Sequence, residues 1–225
     1  MPRTARVDIG QEVYHILNRA NARVQIFDNT KDYLDFEKIL QEAVERFAMR
    51  LLTYCVMPNH WHLVVYPKQD KDLAKFMGWL TNTHTRRWHA AKKTTGQGHL
   101  YQGRYKSFLC QQDDHFITLM QYVERNPKKA GLCNFAQDWK WGSIWRRENG
   151  NKEQQKILSE WPVDIPKGYL ELVNRASDKK IAEMEKIIDV TIEKGNPFGD
   201  SEWVKKIVKK FGLEQTLRTV GRPKK

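Results

Sequence analysis

Cysteine is scarce in this chain: three among 225 residues, Cys55, Cys110 and Cys133. An odd number without C-x-x-C spacing excludes a disulfide framework and is expected of a protein in a reducing cytoplasm. Long apolar runs are missing too. Leu63-Val64-Val65-Tyr66 is about the longest in its region, far below the roughly 18–20 residues of a membrane span, so no membrane partner is expected. Met1-Pro2-Arg3-Thr4-Ala5-Arg6-Val7-Asp8 has no apolar core behind its charges, which argues against a secretion signal. Acidic residues are in deficit, with 27 Asp and Glu against 39 Lys and Arg, a formal net charge of +12. That excess directs attention to a polyanion, and nucleic acid is the commonest one. Eight Trp and eight Tyr supply flat rings that can stack on unpaired bases. A hydrophobic content of 40% is enough for a buried core and excludes wholesale disorder.

The pattern along the chain predicts a strand over Val13–Leu17, ended by Asn18-Arg19-Ala20-Asn21, and a helix over Asp32–Ala48. Leu51–Met57 and His60–Tyr66 read as two strands of a hairpin joined through Pro58-Asn59. A second helix is expected from Asp72 to about Lys93, broken by Gly96-Gln97-Gly98. The basic aromatic stretch Tyr101–Phe108 follows. A third helix begins near Asp113-Asp114 and is expected to end by Asn126, because Pro127 follows. The order strand–helix–strand–strand–helix–strand predicts an α+β fold, a ferredoxin-like antiparallel sheet with helices on one face. Three regions are expected: a main domain over 1–147, a linker over 148–176, and a small, basic, helical C-terminal extension over 177–225. Helices over Ser177–Lys194 and Ser201–Phe211 form that extension.

Two constellations could carry chemistry. In a strand, His60 and His62 project from one face with Trp61 opposite. Two adjacent imidazoles can hold one divalent cation, and equally can be ordinary strand histidines. On the third helix Tyr122 and Asn126, four apart, share a face. Asn126 offers a carbonyl oxygen to a hard cation. Tyr122 offers a phenol that can attack phosphorus once deprotonated. A core-edge aromatic and a helix terminator are the plainer reading of that pair.

Met57-Pro58-Asn59-His60-Trp61-His62, followed some 60 residues later by Tyr122-Val123-Glu124-Arg125-Asn126-Pro127, resembles the single-tyrosine HUH transposases. More narrowly, it is similar to the REP-associated tyrosine transposases. The stretches His15–Arg19, Phe76–Trp88 and Leu100–Ser107 agree, and the resemblance spans roughly residues 10–147. It implies a HUH nuclease core, with His60, His62 and Asn126 holding one Mg²⁺ or Mn²⁺ beside the scissile phosphate of single-stranded or hairpin DNA. Tyr122 would attack in line, giving a 5′-phosphotyrosine and a free 3′-hydroxyl. Relatives use Gln where Asn126 stands. Relatives also occur as monomers or homodimers, and both states stay open. A non-catalytic DNA-binding regulator and a replication-initiator or relaxase-like nuclease are the rival readings.

Between Thr81 and Ala130, nine Lys or Arg stand against three acids, interleaved with Trp88, Tyr101, Tyr105 and Phe108. That mixture suits a groove tracking a nucleic-acid strand. Expected DNA contacts are Arg86, Arg87, Arg125 and, nearest the tyrosine motif, Arg104 and Lys106; by resemblance, Asn18 and Arg19 join them. Lys106, Arg104 or a metal-bound water could each activate Tyr122. The basic tail ends in Gly221-Arg222-Pro223, half of an AT-hook. It reads equally as a DNA-binding element or as a solvated tail carrying one packed helix.

Overall fold

The computed structural model describes residues 6–217. Four strands, β1 (Val13–Arg19), β2 (Arg50–Met57), β3 (His60–Tyr66) and β4 (Lys106–Cys110), form one antiparallel sheet in the order β2-β3-β1-β4. Helix α1 (Thr30–Arg46) connects β1 to β2, and α2 (Asp72–Lys92) connects β3 to β4. Each connection skips over one intervening strand, which is the split β-α-β arrangement of the ferredoxin-like class.

Local chemistry explains the boundaries. Asn29 caps α1 by accepting from the Asp32 amide. Pro58 and Asn59 make the two-residue turn between β2 and β3. Their carbonyls are held by the amides of Ile26, Phe27 and Ala20 at 2.9–3.1 Å. Asp113 caps α3 (Asp114–Lys129), which runs through Pro127 rather than ending before it. The proline ring lacks an N–H for the Val123 carbonyl. The Asn126 amide leans over both Tyr122 O, at 2.7 Å, and Val123 O, at 3.5 Å, and so carries the helix past the break.

The strands alternate between two cores. Tyr14, Ile16, Trp61, Leu63 and Val65 face α1 and α2. Val13, Leu17, Val64, Phe108 and Cys110 face α3 and α7 (Lys179–Lys194). Helices therefore lie on both faces of the sheet, not on one alone. Every residue of β2 after Arg50 is buried, so neither face could be left to water.

The stretch 148–176, expected as a linker, is built into the body. It follows α4 (Ser143–Asn149) and contains α5 (Lys152–Gln155) and α6 (Tyr169–Asn174). Its chain lines the outer edge of β2, with the Ser159 amide donating to Leu51 O and Trp161 Nε1 to Leu52 O. At the other edge, Phe198 pairs with β4 through Gln111 N to Phe198 O, 2.9 Å, and Phe198 N to Leu109 O, 2.8 Å. Helix α8 (Ser201–Phe211) then buries Ile207 and Val208 in the α1–α2 core. The segment up to Leu217 is thus part of the folded body. Gly221-Arg222-Pro223, which carries the AT-hook reading, lies outside the described residues. Among the described residues no helix is long and apolar enough to cross a membrane.

Helix α4 fastens β2 from both sides. Arg146 donates to Tyr54 Oη at 2.6 Å and pairs with Glu37 of α1 at 2.8 Å, while Tyr54 Oη donates to Glu37 at 2.6 Å. Next to it, Arg147 reaches Glu124 of α3, which also accepts from Thr53 Oγ1 at 2.7 Å and Tyr169 Oη at 2.6 Å. Both carboxylates are buried. Removing a partner from such a pair leaves a charge without compensation. Arg146→Met should therefore lower stability by about 3–5 kcal/mol in urea unfolding. The double variant with Glu37→Met should recover much of that loss.

Candidate active site

The pairing of β1 with β3 sets Leu17 opposite His62 and Arg19 opposite His60. Alternation then brings His15, Arg19, His60 and His62 to the face covered by α3, and sends Trp61 to the other core. There Trp61 Nε1 donates to Tyr101 Oη at 3.0 Å. The His60 and His62 rings lie 5.1 Å apart, and Tyr122 of α3 sets its ring 5.8 Å from His62 and 6.4 Å from His15. His15 Nε2 and His62 Nδ1 are 2.9 Å apart, so one proton lies between them. His15 was quoted in the sequence only as part of a resembling stretch. Its role as a second-layer partner depends on a strand pairing that no local pattern announces.

These imidazoles are neutral. Burial pushes His15 down to about 3. Burial, with a smaller push from Arg19, takes His60 down to about 4. His62 is driven down by burial first, then by its neighbours His60, His15, Arg19 and Lys129. Neutral rings keep lone pairs for a cation. Asn59 Nδ2 is committed to Arg23 O at 3.1 Å, so its oxygen faces His60 Nδ1 at 2.6 Å. That nitrogen must donate, which leaves His60 Nε2 as an acceptor, the arrangement typical of metal-ligating histidine. Placing the shared proton on His62 Nδ1 frees His62 Nε2 in the same way. The pair fits two positions of a divalent cation. The side-chain NH₂ of Asn126 donates to the carbonyls of its own helix, Tyr122 O and Val123 O, and its side-chain oxygen is the atom that could serve a cation. Among the described residues no group of three or more His, Cys, Asp and Glu is arranged to hold a metal ion.

Tyr122 lies at the wall of a cleft of about 560 Å³ that it shares with Arg19, Arg104, Lys106, Asp189 and Glu193. Its hydroxyl donates to Asp189 Oδ1 of α7 at 2.6 Å. Burial raises the phenol well above its ordinary value, and the hydrogen bond and charge of Asp189 raise it further, opposed weakly by Arg19. Asp189 stands 67 residues from Tyr122 and belongs to no motif, so no local pattern announces it.

The expected DNA contacts divide. Arg19, Arg104 and Lys106 line the cleft, and Arg19 Nε is buried without a hydrogen-bond partner among the described residues. The amide of Gln102 donates to Arg19 O at 2.9 Å, pinning the loop that carries Arg104 to the end of β1. Asn18 borders the cleft, with its side-chain oxygen turned to the Arg19 amide. Lys106 is paired with Glu193 at 2.6 Å. Arg86 and Arg87 lie on exposed α2 positions away from the cleft lining, and Arg87 forms a two-pronged pair with Glu42 of α1 at 2.8 and 3.1 Å. Arg125 is buried, donating to Arg175 O at 2.5 Å and facing Glu185 at 3.8 Å. Its position is that of a strut between α3 and the segment after α6.

The family model described as "Transposase IS200 like" matches residues 9–126, just over half of the chain, and the chain belongs to that family. It is similar to a provisionally named REP-associated tyrosine transposase of Haemophilus influenzae, 24% identical over 132 residues, covering 53% of this chain and 75% of that protein. Its fold is similar to the solved structure of a REP-associated tyrosine transposase bound to a REP hairpin. The TM-score is 0.56 at 17% identity, covering 74% of this chain and 94% of the other.

The depressed histidines set a sign for stability against pH. An unfolded imidazole takes up a proton below about 6.5, whereas folded His15 and His60 do so only near 3 and 4. Stability is therefore full above about pH 6.5 and falls as pH drops from there toward 4, by up to about 1.4 kcal/mol per pH unit for each ring. In the metal-free protein, NMR titration of the folded state should show neither ring protonating between pH 8 and pH 5.

Proposed function

We propose that the protein cleaves and rejoins single-stranded DNA through Tyr122, with palindromic hairpins of the REP type as substrate. The observation that carries this reading is the Tyr122 ring set 5.8 Å from His62, the strand neighbour of His60, at the wall of a cleft lined by Arg19, Arg104 and Lys106. The family is one of transposases, and a protein of similar fold was solved on a REP hairpin.

In this mechanism the cleft cations bind the backbone phosphates of an unpaired strand and set one phosphorus before the Tyr122 hydroxyl. Arg19 lines the cleft, where its guanidinium is suited to a phosphate oxygen. Tyr122 attacks, the 3′-oxygen departs, and the strand stays attached through a 5′-phosphotyrosine. The new bond is a phosphodiester like the old one, so a 3′-hydroxyl can reverse the step without an external energy source. His60 and His62 would hold Mg²⁺ or Mn²⁺, which when bound supplies Lewis-acid stabilisation of the phosphate charge. Asn126, whose NH₂ donates to Tyr122 O, would offer its side-chain oxygen as a third ligand, a position that water can also fill. Nucleophile, imidazoles and cations all come from one chain, so a monomer suffices for the chemistry.

Incubation with a labelled single-stranded hairpin and Mn²⁺ should give an adduct that survives denaturation. Tyr122→Phe should abolish the adduct while leaving DNA affinity nearly unchanged, since only the phenolic oxygen is lost. An adduct that persists in the Phe variant would make another residue the nucleophile. His60→Ala and His62→Ala should each lower cleavage at least 10–100-fold at limiting metal. EDTA should abolish cleavage and added Mg²⁺ or Mn²⁺ should restore it. Asn126→Ala should be milder at saturating Mn²⁺.

A further inference from the structure

Helix α7 presents three carboxylates at four-residue spacing, Glu185, Asp189 and Glu193, to α3 and β4. Two of them hold cations. Glu185 meets Lys129 at 2.9 Å and Arg125 at 3.8 Å, and Glu193 meets Lys106 at 2.6 Å. Asp189 differs. Its nearest cation, Lys129, stands 4.0 Å from Oδ2, while Oδ1 accepts the Tyr122 hydroxyl at 2.6 Å. That distance is within reach for proton abstraction from a nucleophile.

The other candidates for this proton are engaged or unsuited. The Lys106 amine is an ammonium held by Glu193. The Arg104 guanidinium has no acceptor. The His15 and His62 rings meet Tyr122 edge-on and share a proton with each other. Asp189 also lies well beyond residue 126, where the family match ends.

We propose that Asp189 is the general base that takes the Tyr122 proton during cleavage and returns it during rejoining, an inference that rests on Tyr122 being the nucleophile. As the Oη–P bond forms, the hydroxyl proton passes to Asp189 Oδ1. The P–O3′ bond breaks, and the departing 3′-oxygen takes a proton from water. In rejoining, a 3′-hydroxyl gives its proton to water and attacks phosphorus. The Tyr122 oxygen then leaves with the proton stored on Asp189. The carboxylate sits half-exposed at the mouth of the cleft, where it can release or regain that proton.

The test is single-turnover adduct formation on a labelled single-stranded REP-type hairpin with Mn²⁺, comparing wild type with Asp189→Asn, Asp189→Ala and Tyr122→Phe. Asn keeps an oxygen to accept the hydroxyl but cannot take its proton. Asp189→Asn should therefore slow adduct formation about 10²-fold or more, with no loss of DNA affinity and an unchanged thermal transition. Added formate or acetate should partly restore Asp189→Ala and leave Tyr122→Phe inactive. Wild-type rates in Asp189→Asn would overturn the proposal. So would faster cleavage, which would mean that the carboxylate only keeps phosphate away from the tyrosine. Absence of an adduct from wild type, or its presence in Tyr122→Phe, would overturn the nucleophile itself, a result distinguishable from both.

Discussion

The pairing of β1 with β3 is the constraint on which the rest of the molecule depends. Both strands are central and buried on both faces, so each residue is assigned to one core or the other. A slip of one residue would drive Trp61, Leu63 and Ile16 into the space of the imidazoles and put His62 among Phe36 and Leu40. Register is therefore enforced by the large apolar side chains, and the polar ones inherit their positions from it. The distance between His60 and His62 follows from the strand. The nearness of His15 and Arg19 to them follows from the pairing.

Around that frame the protein distributes its positive charge unevenly. Arg146 and Arg147 are consumed inside, each neutralising a buried carboxylate on opposite sides of β2. Arg125 is spent on a carbonyl and on Glu185. Near the tyrosine a set of cations gathers at the cleft, where Arg19 and Arg104 border Tyr122 and Lys106 pairs with the exposed Glu193. The acidic side of α7 sits directly against this set. A basic surface and an acidic strip meet beside Tyr122, where the proposed chemistry would bring phosphate and phenol together.

Much of this was legible in the sequence, for reasons that can be named. Alternation in Leu51–Tyr66 and a helical period in α1 and α2 are local properties, and they predicted the hairpin, both crossover helices and the opposition of Trp61 to the histidines. Pro127 misled because a backbone rule spoke for a helix end, whereas the Asn126 side chain reaches the carbonyls around the break. The stretch 148–176 read as a linker because its hydrophobic pattern is thin. Its binding to β2 relies on backbone pairs such as Ser159 N to Leu51 O and on single anchors such as Trp161. Charge counting marked Arg87 and Arg125 as DNA contacts, but only the fold shows which cations already have partners. His15 and Asp189 meet the site across 47 and 67 residues, separations at which sequence spacing carries no signal.

The occupied margins of the sheet have a consequence for company. An open strand edge invites another backbone to add to it, whether from a partner or from a second copy. Here Phe198 is paired along β4, and Leu158-Ser159 and Gly142 run along β2, all from the same chain. A strand from a second chain would therefore have to displace Phe198 from β4, or the Leu158-Ser159 stretch from β2, before it could join the sheet.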